Sequence, residues 1–214
     1  MELQLYSPLS VRCLGKLAHY MKLEVDEKVL VEAVLLKDKA AFEKLIRQYE
    51  GLVIHIVVPL IKNQNDREDI CQDVFLKVFE KLHTFQFRSK LSTWIGNIAY
   101  NTSINFLHKK KNILLDDIFK SNNDNDSATY ENFISKNENQ SPERILILKE
   151  ESKLLEAAVG KLPPIQKTLL LLFHQDELSL DEISVIIEMP LNTVKSHLFR
   201  ARINLKEMLF QHKN

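Results

Sequence analysis

The segment between Ser179 and Arg200 constrains the fold more than any other part of the chain. Glu182 follows Ser179 at the spacing of a capping box, which starts a helix. Pro190 stops that helix, because a proline disfavours helical geometry in the residue before it. Asn192 is then suited to the N-cap of a second helix. Two helices joined by about four residues form a helix-turn-helix, whose second helix enters the major groove of double-stranded DNA.

The second helix of this motif is predicted to have an apolar face and a basic face. The exposed side carries the candidate DNA contacts, which are Asn192, Thr193, Lys195, Ser196, Phe199 and Arg200. Lysine and arginine pair with guanine acceptors or phosphates, and phenylalanine can touch a thymine methyl. A solvated bundle surface is the alternative, but the capping box, the turn length, the proline and the basic face all favour DNA binding.

The rest of the chain is also predicted to be helical. It has 214 residues, of which 45% are apolar and only 4 are glycine, a composition that favours packed helices over a turn-rich β architecture. Apolar residues recur at helical spacing in three segments between Asp26 and Leu82, and a fourth helix is expected from about Thr93 to Lys110. We therefore predict an all-α protein with two small helical domains.

A polar segment divides the two domains. In residues 113–142 apolar periodicity fails, and Asn, Asp, Ser and Glu dominate, so this segment cannot bury enough apolar surface to order itself. The predicted organisation is an N-terminal extension of unassigned role at 1–25, a helical domain at 26–112, a flexible linker at 113–142 and a helix-turn-helix domain at 143–214.

Charge is balanced over the chain but unevenly placed. The 29 Lys and Arg equal the 29 Asp and Glu, and neutrality alone argues against nucleic acid, because a basic surplus supplies most of the affinity. No acidic residue occurs from His83 to Asn112, however, and five Lys or Arg face one Glu from Pro190 to the end. A chain with two basic surfaces and an acidic segment between them can bind DNA even though its net charge is zero.

Cysteine spacing and hydropathy indicate the cellular compartment in which the protein is expected. Cys13 and Cys71 lack the paired spacing of a metal knuckle or a disulfide framework, which favours a reducing cytosol. The N-terminus does not have the pattern of a signal peptide, and the most apolar stretch, Leu52 to Ile61, is too short to span a bilayer. We expect a cytoplasmic protein without membrane insertion, cofactor or metal.

The third predicted helix, from Asp66 to Leu82, places a leucine within an acidic face. An arc that includes Phe75 and Phe79 is predicted to be buried. The remaining sector holds Asp69, Gln72, Asp73 and Leu76. An apolar centre flanked by charges is expected of a helix that docks on a basic partner. A solvated face with one incidentally exposed leucine is an equally open interpretation.

The fourth predicted helix carries a stripe of asparagines, Asn97, Asn101 and Asn105. Asparagine is a poor helix former, so three in register indicate that their amides are needed, and amides can donate to and accept from base edges. The loop before this helix supplies Phe85, Phe87 and Arg88, a combination that captures unstacked bases of a single strand. For Phe85 and Phe87, base contact and loop anchoring remain equally open.

With these residues the chain resembles a bacterial RNA polymerase sigma factor of the extracytoplasmic function (ECF) group, which has two helical domains, sigma-two and sigma-four, joined by a linker. The resemblance covers residues from about Asp26 to Phe210. Its most specific stretches include DREDICQDVFLKVFEKLHTF and LSLDEISVIIEMPLNTVKSHLFRARINLKEML. It implies a transcription initiation factor and not an enzyme, with core RNA polymerase, promoter DNA and an anti-sigma factor as partners.

The resemblance also implies a role for each surface. The polymerase would bind Asp69, Gln72, Asp73 and Leu76. The minus-ten promoter element would be melted and read by Phe87, Arg88, Asn97 and Asn101, and the minus-thirty-five element by the helix-turn-helix face defined above.

Three positions depart from the family pattern. Asn105 stands where many relatives have Asp, Glu188 where the turn often has Gly, and Phe173 where some relatives have a DNA-contacting Arg. The last two leave the preferred promoter sequence open.

Two other classes of function stay open on sequence grounds. A stand-alone repressor or activator would use only the helix-turn-helix and would dimerise through the N-terminal domain, but it leaves the asparagine stripe unexplained. An enzyme could hold a metal on Glu68, Asp69 and Asp73, yet the sequence has no phosphate-binding glycine loop, zinc-protease helix motif or nucleophile elbow.

Overall fold

The computed structural model describes residues 27–111 and 154–211, and within these ranges it is helical and contains no strand. The helices are α1 (27–35), α2 (Lys39–Leu60), α3 (Gln64–Lys81), α4 (Leu91–Lys111), α5 (154–160), α6 (Pro164–His174), α7 (Leu180–Ile186) and α8 (Leu191–Gln211), with a 3-10 turn at Leu82–Thr84 after α3. The predicted all-α class is confirmed. The N-terminal extension and the linker at 113–142 lie outside the described residues, so the domain boundaries stay predictions.

Local side-chain chemistry explains where these helices begin. Asp38 caps α2, because its Oδ1 accepts from the Ala40 backbone N–H at 2.8 Å. Asn63 caps α3 in the same way, which moves the start of α3 ahead of the predicted Asp66. Pro164 lies in the first turn of α6. A backbone N–H at this position would have no partner within the helix, so proline is tolerated there.

The helices pack as two groups that meet in one apolar core. Helix α2 packs on α3 and α4, while α6, α7 and α8 pack on one another. Across the two groups, α2 also packs on α6, and α4 packs on α7. The buried cluster accordingly includes Ile56 and Ile95 from the first group and Leu169 and Ile183 from the second. The two predicted helical units are therefore in direct contact.

The buried arc of α3 is narrower than the sequence pattern predicts. Phe75 is buried, as expected, but the side chain of Phe79 is 42% exposed. Its ring lies 5.0 Å from the ring of Phe42 on α2, centroid to centroid. Phe79 therefore belongs to a surface aromatic pair and not to the core.

Candidate nucleic-acid interface

The helix-turn-helix has the predicted capping box. The Ser179 hydroxyl accepts from the Glu182 backbone N–H at 3.2 Å, and the Glu182 carboxylate accepts from the Ser179 backbone N–H at 2.8 Å. Helix α7 ends at Ile186, and four residues, 187–190, connect it to α8. The predicted N-cap at Asn192 is wrong. The Pro190 carbonyl accepts the first helical hydrogen bond, from Val194 N–H at 3.1 Å, so α8 begins before Asn192.

The two faces of α8 separate as the sequence predicts. Val194, Leu198 and Ala201 are buried against the motif. The candidate contacts Asn192, Lys195, Ser196, Phe199 and Arg200 are exposed, and Thr193 is half-buried. The Phe199 side chain is 64% exposed, so its ring is available for contact with a ligand.

The acidic face of α3 is also open to solvent. Asp69, Gln72 and Asp73 are exposed, and Leu76 is 58% exposed among them. No group of three metal-ligating side chains able to hold an ion occurs in residues 27–111 or 154–211, so Glu68, Asp69 and Asp73 do not form such a site. The arrangement is that of a charged surface with an apolar centre.

The two phenylalanines of the loop before α4 differ in burial and therefore in role. Phe85 is buried, with its ring centroid 5.4 Å from that of Trp94, and therefore anchors the loop. Phe87 is 43% exposed and lies 4.7 Å from the Phe85 ring, with the Lys28 ammonium 5.8 Å from its centroid. Its φ of 55° is rare for an aromatic residue, and strain of this kind, about 1–3 kcal/mol, is concentrated at binding sites. Arg88 is exposed beside it.

The asparagine stripe meets the helix-turn-helix, a contact that sequence reasoning missed. Asn97 Nδ2 donates to Val185 O at 3.2 Å and to Glu188 Oε1 at 3.2 Å. Asn101 Nδ2 donates to the same Glu188 oxygen at 2.8 Å, whereas Asn105 is exposed. These hydrogen bonds, that of Asn101 first, hold the pKa of the Glu188 carboxyl below its ordinary value. The only sequence signal was an acidic residue at a turn position where the resembled family often has glycine.

Two polar side-chain contacts join the same helical groups. His55 Nδ1 on α2 lies 2.9 Å from Asp176 Oδ2, and Lys90 Nζ lies 2.8 Å from Glu182 Oε1. The His55–Asp176 pair is largely buried, whereas half of the Lys90 side chain is exposed. Exposed ion pairs contribute little to stability. The Lys90–Glu182 pair therefore shows that the two helical groups lie close together, but it adds little to the free energy of unfolding.

A buried lysine in the second group predicts how stability depends on pH. Lys167 is 5% exposed, and burial together with the charge of Arg67 lowers its pKa from 10.5 to about 8. Between these two values the folded chain binds fewer protons than the unfolded chain, so the free energy of unfolding rises with pH. We expect the free energy of unfolding, measured with urea, to rise by about 1 kcal/mol from pH 7 to pH 9. From about pH 9 the Cys71 thiol acts in the opposite direction, because burial raises its pKa from 9.0 to about 11.

The variant Lys167→Met should remove this rise. It keeps the length and apolar stem of the side chain but has no proton to release. An equal rise in the variant would assign the pH dependence to another group.

Comparisons with known proteins agree on one family. The family models for Sigma-70 region 2 and Sigma-70 region 4 match residues 45–113 and 152–205. The chain is 30% identical over 185 residues to the ECF RNA polymerase sigma-E factor of Escherichia coli, covering 85% of this chain and 93% of that protein. It is 28% identical over 187 residues to the ECF RNA polymerase sigma factor SigW of Bacillus subtilis, covering 87% and 98%.

A solved structure shares the fold. The sigma factor RpoE of Bartonella quintana, in complex with the anti-sigma factor NepR, superposes with a TM-score of 0.54 at 21% identity, covering 78% of this chain and 96% of that chain. Among the described helices of the present chain, none combines the length and the apolar character needed to cross a membrane.

Proposed function

We propose, from the premise that this chain belongs to the ECF group of RNA polymerase sigma factors, that two separate surfaces read its promoters. Members of this family are initiation factors and not enzymes, so the chain directs RNA polymerase to specific promoters. The assignment of each promoter element to a separate surface is our proposal. We also propose that the chain functions in the cytoplasm, where RNA polymerase acts.

The minus-thirty-five element is assigned to α8. The observation that carries this assignment is the exposed row Lys195, Ser196, Phe199 and Arg200 on a helix whose opposite face is buried in a capped helix-turn-helix. This geometry suits a recognition helix, because its polar side can enter the major groove without disturbing the core. The hydroxyl of Ser196 donates to Asn192 O at 2.9 Å and keeps its lone pairs for a DNA donor.

The minus-ten element is assigned to the loop and α4. Phe87 is exposed above the buried Phe85, and Arg88 is exposed beside it, which together offer an aromatic face and a positive charge to an unstacked base. Asn97 and Asn101 add amides on the adjacent helix. This pairing of surfaces is the reason to prefer an initiation factor over a stand-alone repressor, which needs no surface for single strands.

Core RNA polymerase is assigned to the acidic face of α3, formed by Asp69, Gln72, Asp73 and Leu76. Opposite charge on the partner would orient the encounter, and the exposed leucine would supply apolar contact at its centre.

An anti-sigma factor remains a proposed partner. A groove of about 430 Å³ between α5, α6 and α8 is lined by apolar side chains, including Leu155, Leu170 and Phe210, with Arg202 and Lys206 among its lining residues. Such a groove suits the apolar face of an acidic amphipathic helix. The related Bartonella quintana protein is itself bound to an anti-sigma factor.

Run-off transcription from genomic fragments tests the proposal. Core polymerase with the chain should produce transcripts that core polymerase alone does not, whereas the chain alone should bind duplex DNA weakly. A repressor would show the reverse, with tight binding to duplex DNA and no new transcripts. Absence of stimulated initiation would contradict the assignment of both DNA-reading surfaces.

A further inference from the structure

Helix α1 carries apolar side chains on the face that points away from the core. Its buried face consists of Leu30, Val31 and Val34. On the outer face Val29 is 61% exposed and Leu36 is 84% exposed, and Ala33 is half-buried between them. Leu36 continues the helix by one residue, because its N–H donates to Glu32 O at 3.0 Å. At about 100° per residue these three side chains lie within an arc of about 60°, which we call the α1 row.

The α1 row needs a covering segment. One exposed apolar side chain is ordinary on a protein surface, but an apolar row opposite a buried face indicates a helix that packs on both sides. Within residues 27–111 and 154–211 nothing covers the ends of the row, since Val29 and Leu36 are exposed. The N-terminal extension, residues 1–25, is separated from α1 only by Asp26. A segment joined so closely has a local concentration on the order of millimolar, which favours it over a second copy in dilute solution.

The sequence of the extension has the periodicity of an amphipathic helix. Apolar residues recur on one side at spacings of three and four. They are Val11, Leu14, Leu17, Ala18 and Met21. The polar residues Arg12, Lys16 and His19 fall on the opposite side. Ser7 followed by Pro8 is typical of a helix N-terminus, because serine is a good N-cap and proline is favoured in the first turn.

We propose that residues 8–23 form a helix that folds back antiparallel on α1 and covers the α1 row. Residues 24–26 form the connection, within the two to five residues usual between paired antiparallel helices. Counted outward from this connection, both helices place apolar residues at a spacing of four and then three. These residues are Met21, Leu17 and Leu14 on the extension, and Val29, Ala33 and Leu36 on α1. Each side chain of the α1 row is therefore paired with an apolar side chain.

The proposed hairpin supports the part of α1 that contacts the aromatic loop. The Lys28 ammonium, in the first turn of α1, lies 5.8 Å from the centroid of the Phe87 ring. A second helix packed along α1 holds this turn in place from the outer side. The polar side of the extension, with Arg12 and Lys16, faces solvent. The hairpin goes beyond the proposed function and does not depend on it.

Disulfide trapping in the full-length chain tests the register of the hairpin. In a background of Cys13→Ser and Cys71→Ala, the pair Leu14→Cys and Leu36→Cys should form an intramolecular disulfide under mild oxidation, because disulfides require Cα atoms within about 7 Å. Mass spectrometry of the joined peptides identifies the product. The matched control combines Leu14→Cys with Leu35→Cys. Leu35 is also exposed but points about 100° away from the row, so this pair should react about tenfold more slowly.

Two results of the trapping experiment would overturn the hairpin. The first is an equal rate for both pairs, or no disulfide in either, which would show that the extension has no fixed position on the row. The second is a disulfide that joins two chains, seen as a dimer on a non-reducing gel, which would assign the row to a second copy.

Hydrogen–deuterium exchange tests the hairpin with the native cysteines in place. A helix of sixteen residues is marginal on its own in water, so slow exchange in residues 10–21 reports docking. Leu36→Asp should speed this exchange about tenfold, because it places a charge under the extension. The control Leu35→Asp should leave it at the wild-type rate, and both variants should give the circular dichroism of residues folded as in the wild type.

Fast exchange of the extension in the wild type, or slow exchange that survives Leu36→Asp, would contradict the proposal. Fast exchange in the wild type together with weaker binding of Leu36→Asp to core RNA polymerase would assign the α1 row to the polymerase instead.

Discussion

Asp73→Lys should lower the affinity for core RNA polymerase about 100-fold or more while the fold is retained. Asp73 is exposed on α3, so the substitution costs no burial, but it reverses a charge at the centre of the acidic face beside Leu76. Like charges brought together at an interface cost several kcal/mol, whereas the loss of one weak ion pair would cost far less. Co-elution of the chain with core polymerase, and fluorescence titration of the complex, measure the effect.

The matched control is Glu32→Lys, which makes the same charge change at an exposed position on α1. It should bind polymerase nearly as tightly as the wild type, and both variants should give wild-type circular dichroism. Equal losses in the two variants would show that net charge alone matters, and wild-type binding by Asp73→Lys would remove α3 from the polymerase interface.

The parts of the fold that could be predicted from sequence depend on local chemistry. The capping box at Ser179 and Glu182 and the proline after α7 act within a few residues, so their consequences follow from spacing alone. The faces of α8 follow from helical periodicity, which is equally local. The wrong prediction of Asn192 as the N-cap of α8 is also an error of only a few residues. Which of several neighbouring residues caps a helix depends on backbone geometry, and the residue type alone does not determine that geometry.

The contact between the two groups could not be predicted, because periodicity identifies a face but not what lies on it. Asn97 and Asn101 were expected on one stripe, and they are, but Glu188 lies 87 residues from Asn101 in the sequence. The sequence left the roles of Phe85 and Phe87 open for a related reason. Both are aromatic residues in one loop, and only the packing against Trp94 decides that the first is buried and the second exposed.

Two of the three asparagines of α4 have hydrogen-bonding partners within the chain. The side-chain amides of Asn97 and Asn101 donate to Glu188, and they are the same groups that the proposed function assigns to bases. Poor helix formers are tolerated at these two positions because their amides have partners.

Arg200→Ala should cost about 1–3 kcal/mol at one base pair of the minus-thirty-five element if the guanidinium pairs with a guanine. Arg200 is exposed on the reading face of α8, and its side chain can form two parallel hydrogen bonds to one base. The loss would be confined to promoters that carry the preferred base pair, so the variant would no longer distinguish them from promoters mutated at that position. Binding of the holoenzyme to a matched set of promoter variants, recovered by run-off transcription, measures the difference.

A phosphate contact at Arg200 would give a different result from a base contact. Affinity would then fall similarly for all promoter variants, and the slope of log affinity against log salt would decrease by about 1. Arg47→Ala is the matched control, because this arginine is exposed on α2, a different helix, and pairs with Glu43 on that helix. An Arg200→Ala holoenzyme with unchanged base preference and unchanged salt slope would remove Arg200 from the DNA interface, as would an equal loss in Arg47→Ala.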